Sequence, residues 1–213
     1  MTCNKRLIIA VDGPAASGKT TLARRLAEHF DLPFLDTGLL YRAVARRLLE
    51  ARRSFDDVEA AVAAARAVSD ADLDPAALSG EEISQGASKV ATIPEVRAAL
   101  LAYQRRFGGA RGAVLAGRDI GTVVRPDATH KIFVTASAEE RARRRCRELQ
   151  GRGEAAIYEV VLKELRERDS RDRARVVAPL VPARDAYVID TTDKDVDSAF
   201  AIAQAYVADT PCD

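Results

Sequence analysis

Tryptophan is absent from the 213 residues, histidine occurs twice, methionine once and cysteine three times. Cys3, Cys146 and Cys212 are far apart and share no paired ligand spacing, which excludes a zinc module or a disulfide framework. They read as free thiols in a reducing compartment. His29 and His130 have no partner at metal-ligand spacing and are expected at the surface or at helix ends. No apolar run approaches the roughly 20 residues of a membrane span. The Met1–Arg6 stretch leads toward an apolar strand without the apolar core of a secretory signal, so a cytoplasmic chain is expected, with no membrane partner. Net charge is only +1 and aromatics make up 5%. A nucleic-acid partner would call for a basic excess or stacking aromatics, and neither is present.

The chain does have apolar content, at 47%, enough for a substantial core in one domain spanning 1–213. Leu7–Val11 is an unbroken apolar run, as in a strand buried on both faces of a parallel sheet. A helix is expected from about Lys19 to Phe30, with Leu22, Leu26 and Phe30 on one stripe. Pro33–Asp36 reads as a second strand, and Thr37-Gly38 opens a helix through Tyr41 and Leu48. Capping boxes are expected at Ser54–Asp57, Thr92–Glu95 and Ser137–Glu140, with the second helix ending at Gly108-Gly109. Further strands are expected at Ala113–Ala116, Lys131–Thr135 and Ala186–Asp190. An arginine-rich helix should run to about Gln150, a charged helix from about Glu154 to Arg168, and a last amphipathic helix to near Tyr206. Strand and helix alternate throughout, which calls for an α/β fold: a three-layer α/β/α arrangement around a parallel sheet.

Gly13-Pro14-Ala15-Ala16-Ser17-Gly18-Lys19-Thr20 fits G-x-x-x-x-G-K-[ST] without mismatch, between a buried strand and an amphipathic helix. Glycines let backbone N–H groups approach phosphate oxygens, and the helix start adds its positive dipole end. Lys19 would reach the β and γ phosphates, and the Thr20 hydroxyl would face Mg²⁺. Residues Gly13 to Thr20, with Thr21, form the candidate ATP site, and the expected cofactor is Mg²⁺ carried with ATP.

Three features bear on what happens to the γ-phosphate. Asp36-Thr37-Gly38 with Tyr41-Arg42 could grip a second phosphate, or could be an ordinary N-cap beside an exposed arginine. Gly117-Arg118-Asp119 follows a strand, where ligands of parallel sheets sit, though a loop salt bridge would look the same. Residues 141–175 hold twelve Lys or Arg against seven Asp or Glu. Many of these are spaced for i, i+4 ion pairs, yet Arg168, Arg171 and Arg175 fall on one helical face. Such a face suits a polyanion, since phosphoryl transfer works by positioning and charge neutralisation.

Together these segments resemble the bacterial cytidylate kinases. The likeness rests on Asp12–Lys19, Leu35–Arg42, Ala87–Ala91 with Pro94–Arg97, Gly117–Val124, Glu167–Arg175 and Ala178–Leu180. It implies a P-loop fold with a five-stranded parallel sheet, a short helical monophosphate-binding insertion at about 38–110 and an arginine-rich lid at about 141–175. It implies transfer of the ATP γ-phosphoryl group to CMP or dCMP by a monomer. Ser88, Arg97 and Asp119 match cytosine contacts; Arg42 and Arg118 match acceptor-side positions, and Thr37 a hydroxyl beside the acceptor. Arg168 and Asp172 match ribose contacts, Arg175 a phosphate contact and Arg144 a lid arginine near ATP. The catalytic set is then Lys19, Arg118, Arg144, Arg168 and Arg175. The CMP set is Thr37, Tyr41, Arg42, Ser88, Arg97, Arg118, Asp119, Arg168, Asp172 and Arg175. Asp119 joins Thr20 as a metal candidate.

The base logic is physical. Asp119 can accept from the cytosine amine while Arg97 and Ser88 donate to N3 and O2; a uracil carbonyl would face acceptor against acceptor. This sequence departs from the family pattern at Ala116, where many members carry an acid, and in a short 69–84 segment without alternating strands. A related kinase with another acceptor (UMP, AMP or shikimate) and a nucleotide-dependent switch that has lost turnover remain the alternatives.

Overall fold

The computed structural model describes residues 6–209; Cys3, Cys212 and the Met1–Lys5 stretch lie outside them. The chain divides into two compact units, Met1–Leu35 with Gly108–Asp213, and Asp36–Phe107.

The first unit is built on a five-stranded sheet in the order β2-β3-β1-β4-β5. Its strands are β1 Ile8–Asp12, β2 Phe34–Asp36, β3 Ala113–Gly117, β4 His130–Thr135 and β5 Tyr187–Asp190. β1 pairs in parallel with both β3 and β4, Val11 standing opposite Ala116 and Ile132. β4 pairs in parallel with β5. Every residue of β1 and β3 is buried, as their unbroken apolar runs require. Helices α1 (Lys19–His29) and α8 (Val196–Asp209) cover one face. Leu22 and Leu26 of α1 and Ala203 and Val207 of α8 close a core with Ile9, Val11, Val114 and Ala116. A fully buried leucine such as Leu26 contributes about 1.5–3 kcal/mol.

The second unit is helical apart from the end of β2. It holds α2 (Thr37–Glu50), α3 (Val58–Arg66), a 3₁₀ turn (Asp70–Asp72), α4 (Glu81–Val90) and α5 (Pro94–Arg106). They share a core of Leu40, Val44, Leu48, Ala61, Val90, Val96 and Leu100. Back in the first unit, α6 (Ala138–Gly151) and α7 (Tyr158–Ala174) pack through Ala142, Cys146, Leu149, Val161 and Leu165.

Several local expectations are corrected. α3 is capped by Asp57, whose carboxylate accepts from Ala60 N at 3.0 Å, while Ser54 Oγ accepts from Asp56 N in the turn before it. Asp57 wins because it sits one residue before the helix. Thr92 does not cap α5: its hydroxyl donates to the Lys89 carbonyl, closing α4 instead. Ile93 is the N-cap residue and Pro94 occupies the first turn, where its missing N–H costs nothing. α5 does end at the glycines as expected: Arg106 is its last residue, Phe107 the C-cap, and Gly108 follows in left-handed backbone at φ 84°. Ser137 does cap α6, accepting from Glu140 N, but the Glu140 carboxylate goes to Arg144 rather than back to the cap. The charged helix starts at Tyr158 and runs on to Ala174, well beyond Arg168. Arg175 is its C-cap; its φ is still helical, so it stays within i, i+3 reach of Asp172, and the extended ψ turns the chain away only after it. His130 is a buried β4 residue, edge-on to Tyr206, not a surface one. Cys146 is a buried free thiol.

The capping correction is testable. Asp57→Ala should cost about 1 kcal/mol of stability, and Ser54→Ala less than about 0.5 kcal/mol. Urea denaturation of both variants measures the difference; equal losses would contradict it.

Candidate active site

The loop between β1 and α1 is shaped by backbone constraints. Gly13 has φ 154°, and a Cβ there would stand 2.1 Å from the Val134 carbonyl of β4. Gly18, the N-cap of α1, is left-handed at φ 88°. Ala16 takes φ 58° although it carries a side chain, a conformation that costs on the order of 1 kcal/mol or more. Lys19 is buried, and its Nζ donates to the Pro14 carbonyl at 3.1 Å. Pro14 and Ser17 are buried, Ala15 and Ala16 half-buried, and Gly18 exposed. The hydroxyl of Ser17 is buried and makes no hydrogen bond. Thr20 is half-buried and Thr21 exposed on the first turn of α1. Outward-turned carbonyls and a left-handed residue just before a helix make the anion-binding concavity expected of this motif.

Arg144 on α6 lies beside this loop: its Nη1 would be 3.9 Å from a Cβ placed on Gly18. It is held by Glu140 at 3.1 Å and by Thr191, whose hydroxyl accepts at 3.0 Å and whose carbonyl accepts from Nη2. The Thr191 hydroxyl also lies 3.1 Å from the Ser17 and Thr135 carbonyls. Thr191 thus links the strand ends, the loop and Arg144.

A second cluster centres on Asp172 of α7, which is buried. Arg118 donates from Nε to its Oδ2 at 2.9 Å, and Arg175 pairs with its Oδ1. Burial alone would raise the Asp172 carboxyl, but the guanidiniums of Arg118, Arg175 and Arg168 outweigh burial and hold it below the usual range. These four residues, three from α7 and its cap and one from the loop after β3, form one charged group.

Ala116 is fully buried in the apolar core. The carboxylate at the strand ends is Asp12, which the sequence reading quoted only as part of a motif. Asp12 is 5% exposed and accepts from Ile120 N and Gly121 N, both at 2.8 Å. Those amides belong to a single π-type turn, Ile120–Val124, that begins after Asp119. Desolvation outweighs the two amide bonds and, with the nearby Asp119 charge, raises the Asp12 carboxyl to about 7. Asp119 is itself buried.

The second unit holds the remaining candidates. Asp36 caps α2 by accepting from Gly38 N at 2.9 Å, so the N-cap alternative for this segment holds as local structure. Thr37 and Tyr41 are buried on α2. Arg42 is not the exposed arginine of that alternative: it donates to the Leu78 carbonyl at 3.0 Å and to Ser84 Oγ at 3.2 Å. Arg97 lies over the Tyr41 ring, 5.6 Å from its centroid, and donates to the Ala91 carbonyl at 3.4 Å. Ser88, on α4, is 2% exposed and its hydroxyl has no hydrogen-bond partner. A buried hydroxyl left this way costs stability unless a ligand completes it.

A phosphate loop of this geometry, between the first strand and first helix of a parallel sheet ordered 2-3-1-4-5, defines a P-loop protein. Solved structures agree at the level of fold. An uncharacterised protein from Eubacterium ventriosum superposes with a TM-score of 0.58 at 16% identity, over 95% of this chain and 99% of that one. A gluconokinase from Sinorhizobium meliloti superposes with a TM-score of 0.52 at 15% identity, over 96% and 94%. Residues 9–208 match the cytidylate kinase family, and the chain belongs to that family. Among its relatives, the cytidylate kinase of Methylocella silvestris is 59% identical over 94% of both chains. That of Paramagnetospirillum magneticum is 59% identical over 92% of this chain and 95% of its own, and that of Brucella suis biovar 1 is 51% identical over 94% and 92%.

The raised Asp12 carboxyl sets a pH dependence. Between about pH 4 and 7 the folded protein holds a proton on Asp12 that the unfolded chain has lost. Its contribution to stability therefore falls as pH rises through that window and levels off above about 7. Urea denaturation from pH 5 to 8.5 should show wild type losing stability relative to Asp12→Asn up to about pH 7, then running parallel to it. Parallel curves throughout would place the carboxyl at an ordinary value.

Proposed function

We propose that the chain transfers the γ-phosphoryl group of ATP to CMP or dCMP. The observation that carries the acceptor choice is the Ser88 hydroxyl, buried and without a partner, on a helix of the unit that also buries Arg97. Relatives named cytidylate kinase at 51–59% identity over nearly the whole chain support the same reading.

The residues would act as follows. Lys19 leaves the Pro14 carbonyl for the β and γ phosphates, while the loop amides from Gly13 to Thr20 surround them, with Thr21 just beyond. Arg144 flanks the donor from α6. Arg118, Arg168 and Arg175, already gathered on Asp172, spread their charge over the phosphoryl group in flight, which is where phosphoryl transfer needs it. Ser88, Arg97 and Asp119 read the cytosine, Asp172 and Arg168 the ribose, and Thr37, Tyr41 and Arg42 the acceptor side. The Asp36–Phe107 unit serves as the monophosphate-binding part, and the 141–175 stretch as the lid.

Mg²⁺ fits this donor set. It keeps most of its waters and takes few protein ligands when phosphates supply the rest. Among the described residues no three His, Cys, Asp or Glu side chains gather into a metal cage. Thr20 would hold it through its hydroxyl, with the buried Asp119 as the carboxylate candidate. Held there with ATP, Mg²⁺ would supply charge neutralisation to the phosphates. Among the described residues no helix is long and apolar enough to cross a membrane. A monomer in the cytoplasm, acting on ATP and CMP without nucleic acid, accords with the free buried Cys146 and the near-zero net charge.

An ADP-release assay across CMP, dCMP, UMP and AMP tests the reading. CMP should exceed UMP and AMP by about 100-fold or more in kcat/KM; equal rates would refute the acceptor assignment. Lys19→Met should fold normally and lose at least about 1000-fold in rate. Ser88→Ala should raise KM for CMP about 10-fold while leaving the KM for ATP in place.

A further inference from the structure

The Arg141 guanidinium is 3% exposed and uses four of its five N–H groups. Nε donates to the Ala136 carbonyl at the end of β4, 3.0 Å away. Nη1 donates to the Ala15 carbonyl of the phosphate loop at 3.2 Å and to Asp169 Oδ1 at 3.1 Å. Nη2 donates to Asp169 Oδ2 at 2.6 Å. The pair with Asp169 is therefore a two-pronged, buried one, with Asp169 also nearly inaccessible.

The Ala15 contact has a consequence for the loop. All described peptide bonds are trans, so the N–H of Ala16 points opposite to the Ala15 carbonyl. Whatever holds that carbonyl also aims that amide. Ala16 is the one side-chain-bearing residue of the loop at positive φ, so this is the peptide with the weakest intrinsic preference for its orientation. At its other end, Arg141 grips Asp169, which lies between Arg168 and Asp172 on α7.

We propose that Arg141 is a positioning residue that fixes the Ala15–Ala16 peptide of the phosphate loop and ties its placement to α7, and through α7 to the arginines on Asp172. The proposal deepens the kinase reading and rests on it. Arg141 touches neither nucleotide; it sets the alignment of donor-side amides with the cations that follow the transferring group. A mere structural tie would be replaceable by packing, because a buried ion pair is commonly exchanged for apolar side chains without loss of stability. An alignment device would not be.

The test is the double variant Arg141→Met with Asp169→Leu, compared with wild type and with Arg141→Lys. Melting temperature, the Kd for a fluorescent ATP analogue without acceptor, and kcat and KM for CMP are measured. The double variant should remain folded, with its melting temperature lowered by roughly 5–10 °C because the Ala15 and Ala136 carbonyls lose their donor. Its ATP-analogue Kd should rise about 10-fold and its kcat fall about 100-fold, more than any change in KM for CMP. Arg141→Lys keeps a cation but cannot make the fork, and should move Kd and kcat in the same direction. A folded double variant with wild-type Kd and kcat would overturn the proposal. Should the double variant fail to fold, wild-type Kd and kcat in Arg141→Lys would overturn it instead. The Kd needs no acceptor, so it judges Arg141 even if CMP proves not to be the substrate.

Discussion

A loop that offers its amides to an anion must turn its carbonyls the other way, and each of those carbonyls then needs a donor. The first unit is arranged around that requirement. Lys19 satisfies Pro14, Arg141 satisfies Ala15, and the Thr191 hydroxyl lies within reach of Ser17. The three donors come from α1, α6 and the end of β5, so the loop is referenced to three parts of the fold at once. Gly13 adds a steric limit, since the loop passes so close to Val134 that no side chain fits. Of the three donors only Lys19 also has an expected partner among the phosphates, and its bond to Pro14 is the one that a nucleotide would replace.

The charge of α6 and α7 is organised by the same economy. The bland reading of a solvated, ion-paired surface holds for much of it: Arg152 with Glu148, Arg143 with Glu140 and Arg166 with Glu139 are exposed pairs worth little. Two carboxylates are different. Asp169 and Asp172, three residues apart and so on one side of α7, are both buried and both meet arginines from other segments. Desolvating a carboxylate is expensive, and only a cluster of guanidiniums repays it. Such pairs fix geometry more than they add stability. They orient Arg118 and Arg175, and in the proposed role that would lower the reorganisation that transfer requires.

Much of this was legible in the sequence, for reasons that differ by element. The sheet showed because buried parallel strands are written as unbroken apolar runs, and the phosphate loop because its glycines answer a steric demand no other residue meets. The Asp172 cluster was half legible. Its residues were singled out from helical spacing, but the buried carboxylate that gathers Arg118 and Arg175 shows only in three dimensions, because Arg118 comes from the loop after β3. Caps were the least readable feature. Ser54 and Thr92 each have the right neighbours for a box, yet a turn one or two residues long decides which hydroxyl meets which amide. Asp12, Arg141 and Thr191 were missed because their roles depend on contacts with residues about 110 to 175 positions away. A buried arginine beside two exposed and two half-buried ones on α6 has no signature in sequence alone.

Ala116 stands where many family members carry an acid, and its apolar surroundings suit the residue found there. Its side chain faces the core with Val11 and Ile132, so an acid at this position would need a charge partner the core does not offer. Asp12 ends the neighbouring strand in register with Gly117, one residue beyond Ala116, and its two oxygens take the amides that open the Asp119 turn. A carboxylate held by two N–H groups is acceptor-saturated toward the protein on one side only, since each oxygen has a second lone pair. Its raised pKa follows from desolvation, which outweighs the two amide bonds and the nearby Arg118 charge. A divalent cation or an added positive charge nearby would reverse that and ionise it. The buried acid at the C-terminal edge of the sheet is thus Asp12 at the end of β1, while Ala116 at the end of β3 belongs to the apolar packing. The two oxygens of Asp12 hold the amides that open the turn after Asp119, and desolvation raises its carboxyl.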